Sequence, residues 1–162
     1  MPLLLAGCGR AARQAPPSAP NLALGSTVSL ALPSTEGELV ELPQSDAKVT
    51  VVDAFAPTCE PCAKKVPALV AQRDELAELG ARLVLVAVLS DDESDEAAAA
   101  ALSGWGVSST FLIDRGEVLR RSLGVETLPA TVVLDASGKV RWAAPSDADA
   151  NAIVAAAEAA GR

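Results

Sequence analysis

The run VTVVDAFAPTCEPCAKKVP, residues 49–67, decides how the rest of the chain is read. Its first seven residues, Val49 to Phe55, are almost continuously apolar and rich in valine, the composition of a central strand buried on both faces. Cys59 and Cys62 follow at once, and from Pro61 the pattern turns helical. Val66, Leu69, Val70, Leu76 and Leu79 recur at roughly helical spacing and Gly80 supplies a stop, so one helix is expected from Pro61 to about Leu79, kinked by Pro67. A cysteine pair between a strand and a helix is open to three readings: a structural disulfide, half of a metal site, or a dithiol that moves electrons.

Working outward, TVSLAL (27–32) and LVEL (39–42) flank a turn at Glu36-Gly37 and predict a hairpin before the central strand. After the helix, RLVLVAVL (82–89) predicts a second buried strand. SDEAAAAAL (94–102) predicts a helix whose acidic first turn suits the positive end of the dipole. The acidic run SDDESDE (90–96) has neither the glycine nor the terminal glutamate of a calcium loop and reads as a solvated helix start. A short strand is expected at 110–113, helical character at 115–123 and a strand at 131–135. A turn at Ala136-Ser137-Gly138, a strand at 139–142 and an alanine-rich helix at 147–160 complete the chain. The order is β-β-β-α-β-α-β-α-β-β-α, an α/β protein built as a three-layer sandwich around a mixed sheet.

Composition narrows the chemistry. The 162 residues, 50% hydrophobic, suffice for one core of ordinary size. A formal net charge of -8 argues against wrapping nucleic acid, whose phosphates call for clustered Lys and Arg. The chain has no histidine, which removes Ser-His-Asp and Cys-His catalysis and His-ligated metal centres, and leaves proton transfer to carboxylates, lysines and thiols. Tyrosine is absent and aromatics make up 2%, so the core must come from Ala, Val and Leu.

The third cysteine, Cys8, ends LLLAGC, an apolar run closing on small residues in the manner of a bacterial lipobox, where the cysteine carries the lipid. Only seven residues precede it and none has a charged side chain, short of the basic n-region and apolar stretch of a complete signal peptide. RAARQAPPSAPN (10–21) then has the Pro- and Ala-rich composition of a disordered tether. The expected organisation is a truncated lipoprotein signal and tether over residues 1–24 and one domain over residues 25–162.

CEPC after a buried strand and at the start of a helix, Pro67 five residues beyond, Asp53 six residues before, and Thr127-Leu128-Pro129 leading into ATVVL (130–134) together resemble the thioredoxin fold. The N-terminal hairpin and the inserted unit between about Ser90 and Ile113 are similar to its TlpA/ResA branch of extracytoplasmic thiol-disulfide oxidoreductases. The resemblance covers about residues 25–160. It implies a thioredoxin-like sandwich with a β-hairpin extension. It further implies catalytic roles for Cys59, Cys62, Glu60 and Asp53, and a substrate-facing surface of Thr58, Pro61, Leu128 and Pro129, with Pro129 following a cis bond.

The chemistry suits that placement. A cysteine at a helix N-terminus meets unsatisfied N–H groups and the positive dipole end, which can bring its pKa down to roughly 3.5–7.5. Cys59 is then the attacking thiolate. Cys62, one turn deeper, is close enough to close a disulfide and resolves the mixed intermediate. Its proton needs an acceptor, for which Asp53 is one candidate and Glu60 the other. Ionised carboxylates raise thiol pKa values and make a dithiol more reducing, so a potential nearer ~-270 mV than ~-120 mV is expected. The implied partners are a disulfide-containing protein substrate, apocytochrome c among them, and a membrane thiol donor. No cofactor and no nucleic acid are expected. Membrane contact is expected through a lipid at Cys8 alone, on the periplasmic or outer side of a bacterial membrane.

Thr58, preceded by Pro57, stands where this branch carries tryptophan, and the distant Trp105 and Trp142 read as packing residues. That departure keeps open a second function: a thioredoxin-fold lipoprotein that binds a partner without turning over disulfides. Other readings fall on residues. Zinc needs four ligands, and a disulfide closing so small a loop stabilises little. Peroxiredoxins place Pro and Thr where Val52 and Ala56 stand, and the related copper chaperones need a wider cysteine spacing and a histidine.

Overall fold

In a computed structural model, residues 11–162 are described; Cys8 and the lipobox-like stretch lie outside them. Strand β3 (Val49–Phe55) organises the rest, because it is hydrogen-bonded on both sides and every one of its residues is buried. It runs parallel to β4 (Ala81–Val88), which runs parallel to β5 (Leu112–Asp114). On its other side it is antiparallel to β6 (Ala130–Asp135), which pairs with β7 (Val140–Ala143), giving the order β5-β4-β3-β6-β7. The expected hairpin, β1 (Leu30–Pro33) with β2 (Leu39–Leu42), forms a separate two-stranded sheet.

Strand alternation then divides the core into two layers. Val49, Val51 and Phe55 face α1 (Cys62–Val70), α2 (Arg73–Glu78), α3 (Asp95–Gly104) and α5 (Ala150–Ala160), where they pack with Val66, Leu76, Leu102 and Ile153. Val52 and Ala54 face the other way, against Leu32 and Leu42 of the hairpin and Leu119 and Leu123 of α4 (Val118–Leu123). The result is the expected three-layer α/β sandwich around a mixed sheet.

Three expectations need correction. The single helix over 61–79 is two: the chain turns at Ala71-Gln72, where the Gln72 N–H donates to the Leu69 carbonyl three residues back and its backbone leaves the helical region (φ -92°, ψ 6°). The break therefore falls beyond Pro67, which sits inside α1. The first strand begins at Leu30 and not at Thr27, because residues 25–28 pair elsewhere. The Gly25 N–H donates to the Val140 carbonyl, the Val140 N–H to Ser26 and the Val28 N–H to Gly138, so this segment lines the outer edge of β7. The short strand expected at 110–113 begins at Leu112.

The stretch expected as a tether has no regular secondary structure from residue 11 onward, but it lies against the body. Arg13 pairs with Glu75 at 2.7 Å, Trp142 Nε1 donates to the Pro16 carbonyl at 3.0 Å, and the Ala19 N–H donates to the Ala143 carbonyl at 2.9 Å. Contacts therefore run across the boundary expected between residues 24 and 25. An edge strand with unpaired amides is a template for aggregation, and residues 18–28 cover most of this one.

Gly138 closes the β6–β7 turn at φ +86°, and a Cβ there would stand 2.2 Å from the Val28 carbonyl oxygen. Gly37 has a similar φ, +83°, with open space around it. Gly37→Ala should cost about 1 kcal/mol in urea unfolding from backbone strain alone. Gly138→Ala should cost about 3 kcal/mol, because the Val28 backbone and its hydrogen bond to the Gly138 carbonyl must also give way.

Candidate active site

The sequence places Cys59 and Cys62 where β3 hands over to α1. The Cys59 N–H donates to the Ala56 carbonyl at 3.1 Å and the Cys62 N–H to the Cys59 carbonyl at 3.2 Å, a tight turn that leads into the helix. The two are joined in a disulfide with Cα atoms 5.3 Å apart. Cys62, the first residue of α1, is wholly buried, while Cys59 is partly exposed. Cys59 is thus the more accessible member of the pair and Cys62 the withdrawn one.

Asp53 lies on β3 with its side chain on the same face as Val51 and Phe55, towards α1 and α5. It is wholly buried. Opposite it in register are Leu85 on β4 and Thr131 on β6. Thr131 Oγ1 donates to Asp53 Oδ1 at 2.7 Å, and Oδ2 has no hydrogen-bond partner. Burial pushes the Asp53 pKa from the ordinary 3.8 up to about 6; the Thr131 hydroxyl and the charge of Lys65 pull against it. Lys65, three residues after Cys62, is held below the usual lysine range by its own burial and pulled back up by Asp53.

The remaining expected residues occupy the surface around the pair. Glu60 and Pro61 are exposed between the cysteines, with Pro61 in the N-cap position of α1. Thr58 is exposed and its hydroxyl donates to Glu93 Oε1 at 3.4 Å, so the acidic turn 90–93 abuts the lip of the site. Leu128 and Pro129 are half-buried, the bond between them is cis, and Leu128 packs on the same apolar cluster as Cys59. A second cis bond, Leu42-Pro43, lies at the end of the hairpin. Trp105 meets Phe55 edge-on at 5.9 Å, as Phe111 does, while Trp142 is buried; both tryptophans are packing residues. Cys8 lies outside the described residues, and among those no helix is long and apolar enough to cross a membrane.

Two residues of the site escape the sequence reading. Thr131 becomes visible only once β6 is known to lie antiparallel to β3, because the register alone brings it to Asp53. Lys65 carries a fainter signal, its i, i+3 spacing from Cys62 on the inner flank of a helix. Asp114, also buried, has a scaffold role: its carboxylate accepts the N–H groups of Gly116, Val118 and Leu119 and so caps α4.

A five-stranded mixed sheet with a cysteine pair at the end of its central strand and a cis-proline before the antiparallel neighbour defines a thioredoxin-like protein. The chain belongs to the Redoxin family, which matches it over residues 14–160. It is 28% identical over 105 residues to the thiol-disulfide oxidoreductase ResA of Bacillus thuringiensis (strain Al Hakam), a match covering 65% of this chain and spanning 59% of that protein's length. Among solved structures, the thioredoxin domain of a thiol-disulfide oxidoreductase from Bacteroides vulgatus superposes with a TM-score of 0.68 at 19% identity, covering 87% of this chain and 99% of that one. StoA from Bacillus subtilis does so at 0.68 and 16%, covering 82% and 98%. Both share the fold.

The raised Asp53 pKa makes stability depend on pH with a definite sign. The folded state binds the Asp53 proton more tightly than the unfolded chain, so stability is unaffected below about pH 3.8 and falls as pH rises to about 6. Above that it levels off about 3 kcal/mol lower. Asp53→Asn should remove this fall, gaining stability over the parent protein at pH 8 but little at pH 4. Urea unfolding of the oxidised protein at both values checks it; an unchanged slope in the variant would assign the pH dependence to other groups.

Proposed function

We propose that this protein is an extracytoplasmic thiol-disulfide oxidoreductase that reduces disulfides in partner proteins. The observation that carries the reading is the disulfide of a partly exposed Cys59 with a wholly buried Cys62 at a helix start, on the apolar layer that buries Asp53 with one carboxylate oxygen unpartnered. In the reduced form the Cys59 thiolate attacks one sulfur of the substrate disulfide, forming a mixed disulfide and releasing the other substrate sulfur as a thiolate that takes a proton from solvent. Asp53 accepts the Cys62 proton, and the Cys62 thiolate attacks Cys59 Sγ. The second substrate sulfur leaves, and two electrons have passed to the substrate. Asp53 is favoured over Glu60 as the acceptor because it is buried with Cys62, whereas Glu60 is exposed and tunes the thiols from outside.

Thr58, Pro61, Leu128 and Pro129 form the substrate-facing surface in this reading. Support comes from the Leu128 backbone: among the described residues, neither its N–H nor its C=O has an intrachain hydrogen-bond partner, leaving both for an extended substrate chain. The LLLAGC stretch supports a lipid anchor at Cys8, and an oxidising compartment suits a chain whose chemistry is disulfide exchange. The family resemblance supports a disulfide-containing protein as substrate, with apocytochrome c in that class, and a membrane thiol donor that restores the dithiol.

Equilibrium titration of the Cys59–Cys62 couple against dithiothreitol, with insulin reduction alongside, tests the reading. A two-electron couple well below about -200 mV with turnover is expected. A couple near ~-120 mV would make the protein an oxidant, and a couple that titrates without any turnover would leave a partner-binding module. Cys62→Ser should accumulate a mixed disulfide with substrate through Cys59, Cys59→Ser should form none, and Asp53→Asn should slow turnover at neutral pH about 100-fold.

A further inference from the structure

We propose that the outer edge of β4 over Ala81–Leu85 is a docking site for an extended, basic segment of a partner protein, which adds to the sheet as a further strand. The site lies away from the cysteine pair and does not rest on the oxidoreductase reading.

Sheet register is the first support. β4 is eight residues long, but β5 pairs only with its last three, Val86 to Val88. The Val49 N–H donates to the Gly80 carbonyl and the Leu89 N–H to the Asp114 carbonyl. Together with the parallel register of β3 and β4, these two bonds fix the phase of the strand: its odd-numbered residues turn their N–H and C=O groups away from β3. Ala87 meets β5, whereas Ala81 and Leu83 have no backbone partner on that side among the described residues. The chain that leads into β5 does not cover them, because Arg73 Nη2 donates to Ser109 Oγ at 2.8 Å and ties that segment to α2. The opposite edge of the sheet is treated otherwise, since residues 18–28 lie along β7. A row of unpaired groups on an open edge is the template that strand addition requires.

Charge and shape then select the occupant. The edge opens into a groove of about 1170 Å³, walled by Glu36, Glu38 and Val40 on the hairpin side and by Arg73, Asp74 and Ala77 of α2. An added strand would send alternate side chains to two different surroundings. Towards the helices lie the apolar Leu83 and Phe111, and towards the hairpin lie Val40 and Val84 with the two glutamates. Both arginines of the groove are engaged, Arg82 with Asp46 and Arg73 with Ser109. Glu36, Glu38 and Asp74 are exposed and belong to no ion pair among the described residues. The groove therefore has negative charge left over for a cationic partner. A second copy of this chain, with its net charge of -8, would bring acid to acid. The segment that fits alternates, with apolar side chains over Leu83 and Phe111 and Lys or Arg reaching Glu36 and Glu38.

The test titrates the full-length oxidised protein with a short peptide of alternating lysine and valine, followed by nitrogen-15 NMR and amide hydrogen exchange. Binding should shift the amides of β4, slow exchange at Ala81 and Leu83, leave the Cys59 and Cys62 amides unmoved, and weaken as salt is raised. Glu36→Lys combined with Glu38→Lys, at two exposed positions that leave the core untouched, should weaken binding about tenfold. The same peptide N-methylated along its backbone keeps the charge, loses the donors and should not bind. Failure of the lysine-valine peptide to bind overturns the proposal, as does binding that leaves exchange at Ala81 and Leu83 unchanged. Equal binding of the N-methylated peptide, or of a glutamate-valine peptide, overturns it too. So does exchange at Ala81 and Leu83 that slows with protein concentration in the absence of peptide, which assigns the edge to a second copy of the chain.

Discussion

The structure depends on β3 being paired on both edges. With β4 on one side and β6 on the other, none of its backbone groups is left for water, and its alternating side chains must satisfy two apolar layers at once. Six of its seven positions comply with Val, Thr, Ala or Phe. The seventh, Asp53, breaks the rule at a place where the fold offers it one hydroxyl. A carboxylate in the middle of a fully paired strand is a defect by the criteria of folding, and such defects are retained where a perturbed proton affinity is useful. It stands three residues before the cysteine turn, which is why the proposed reading gives it the proton.

The same strand shows which parts of the fold are legible in sequence. Its valine-rich composition, the cysteine spacing, the acidic start of α3 and Gly138 in the last turn are all local signals, and the elements they announce are present. What was not legible is what depends on partners in space. TVSLAL looks like a single strand, yet Thr27 makes an isolated bridge to Lys139 beside β7 while Leu32 pairs with Val40 in the hairpin, because the edge of β7 competes for the first half and β2 for the second. The two helices after the cysteines read as one because their apolar spacing continues through the break at Ala71-Gln72. For the site, the motifs mark Cys59 and Cys62, which are joined in a disulfide, the buried Asp53, and the Leu128-Pro129 bond, which is cis. Thr131 and Lys65 depend on register and helix phase, which no short motif records.

The chain has no histidine, so in the proposed reading proton transfer at the site falls to a carboxyl. In its place the chain sets a carboxyl brought near neutrality by burial, and adjusts it from two directions with a hydroxyl on β6 and an ammonium on α1. Aromatic material, scarce in this chain, is used in the same region. Trp105 and Phe111 both edge onto Phe55, the last residue of β3, and brace the end of the strand from which the cysteine turn departs.

The disulfide itself contributes little to holding the molecule together. Cross-linking residues three apart removes little freedom from the unfolded chain, since the entropic benefit grows with the loop it closes. Stability resides in the two apolar layers, in the capping of α3 and α5 by Ser94 and Asp149, and in the cover that residues 18–28 give to β7. Opening the bond therefore costs the scaffold little, and in the proposed reading the free energy of the dithiol couple is set locally, where the pair meets the helix start. A pair that carried the fold would change its potential whenever the fold was strained. Here the fold does not rest on the pair, so in the proposed oxidoreductase reading its electron chemistry is left to local electrostatics.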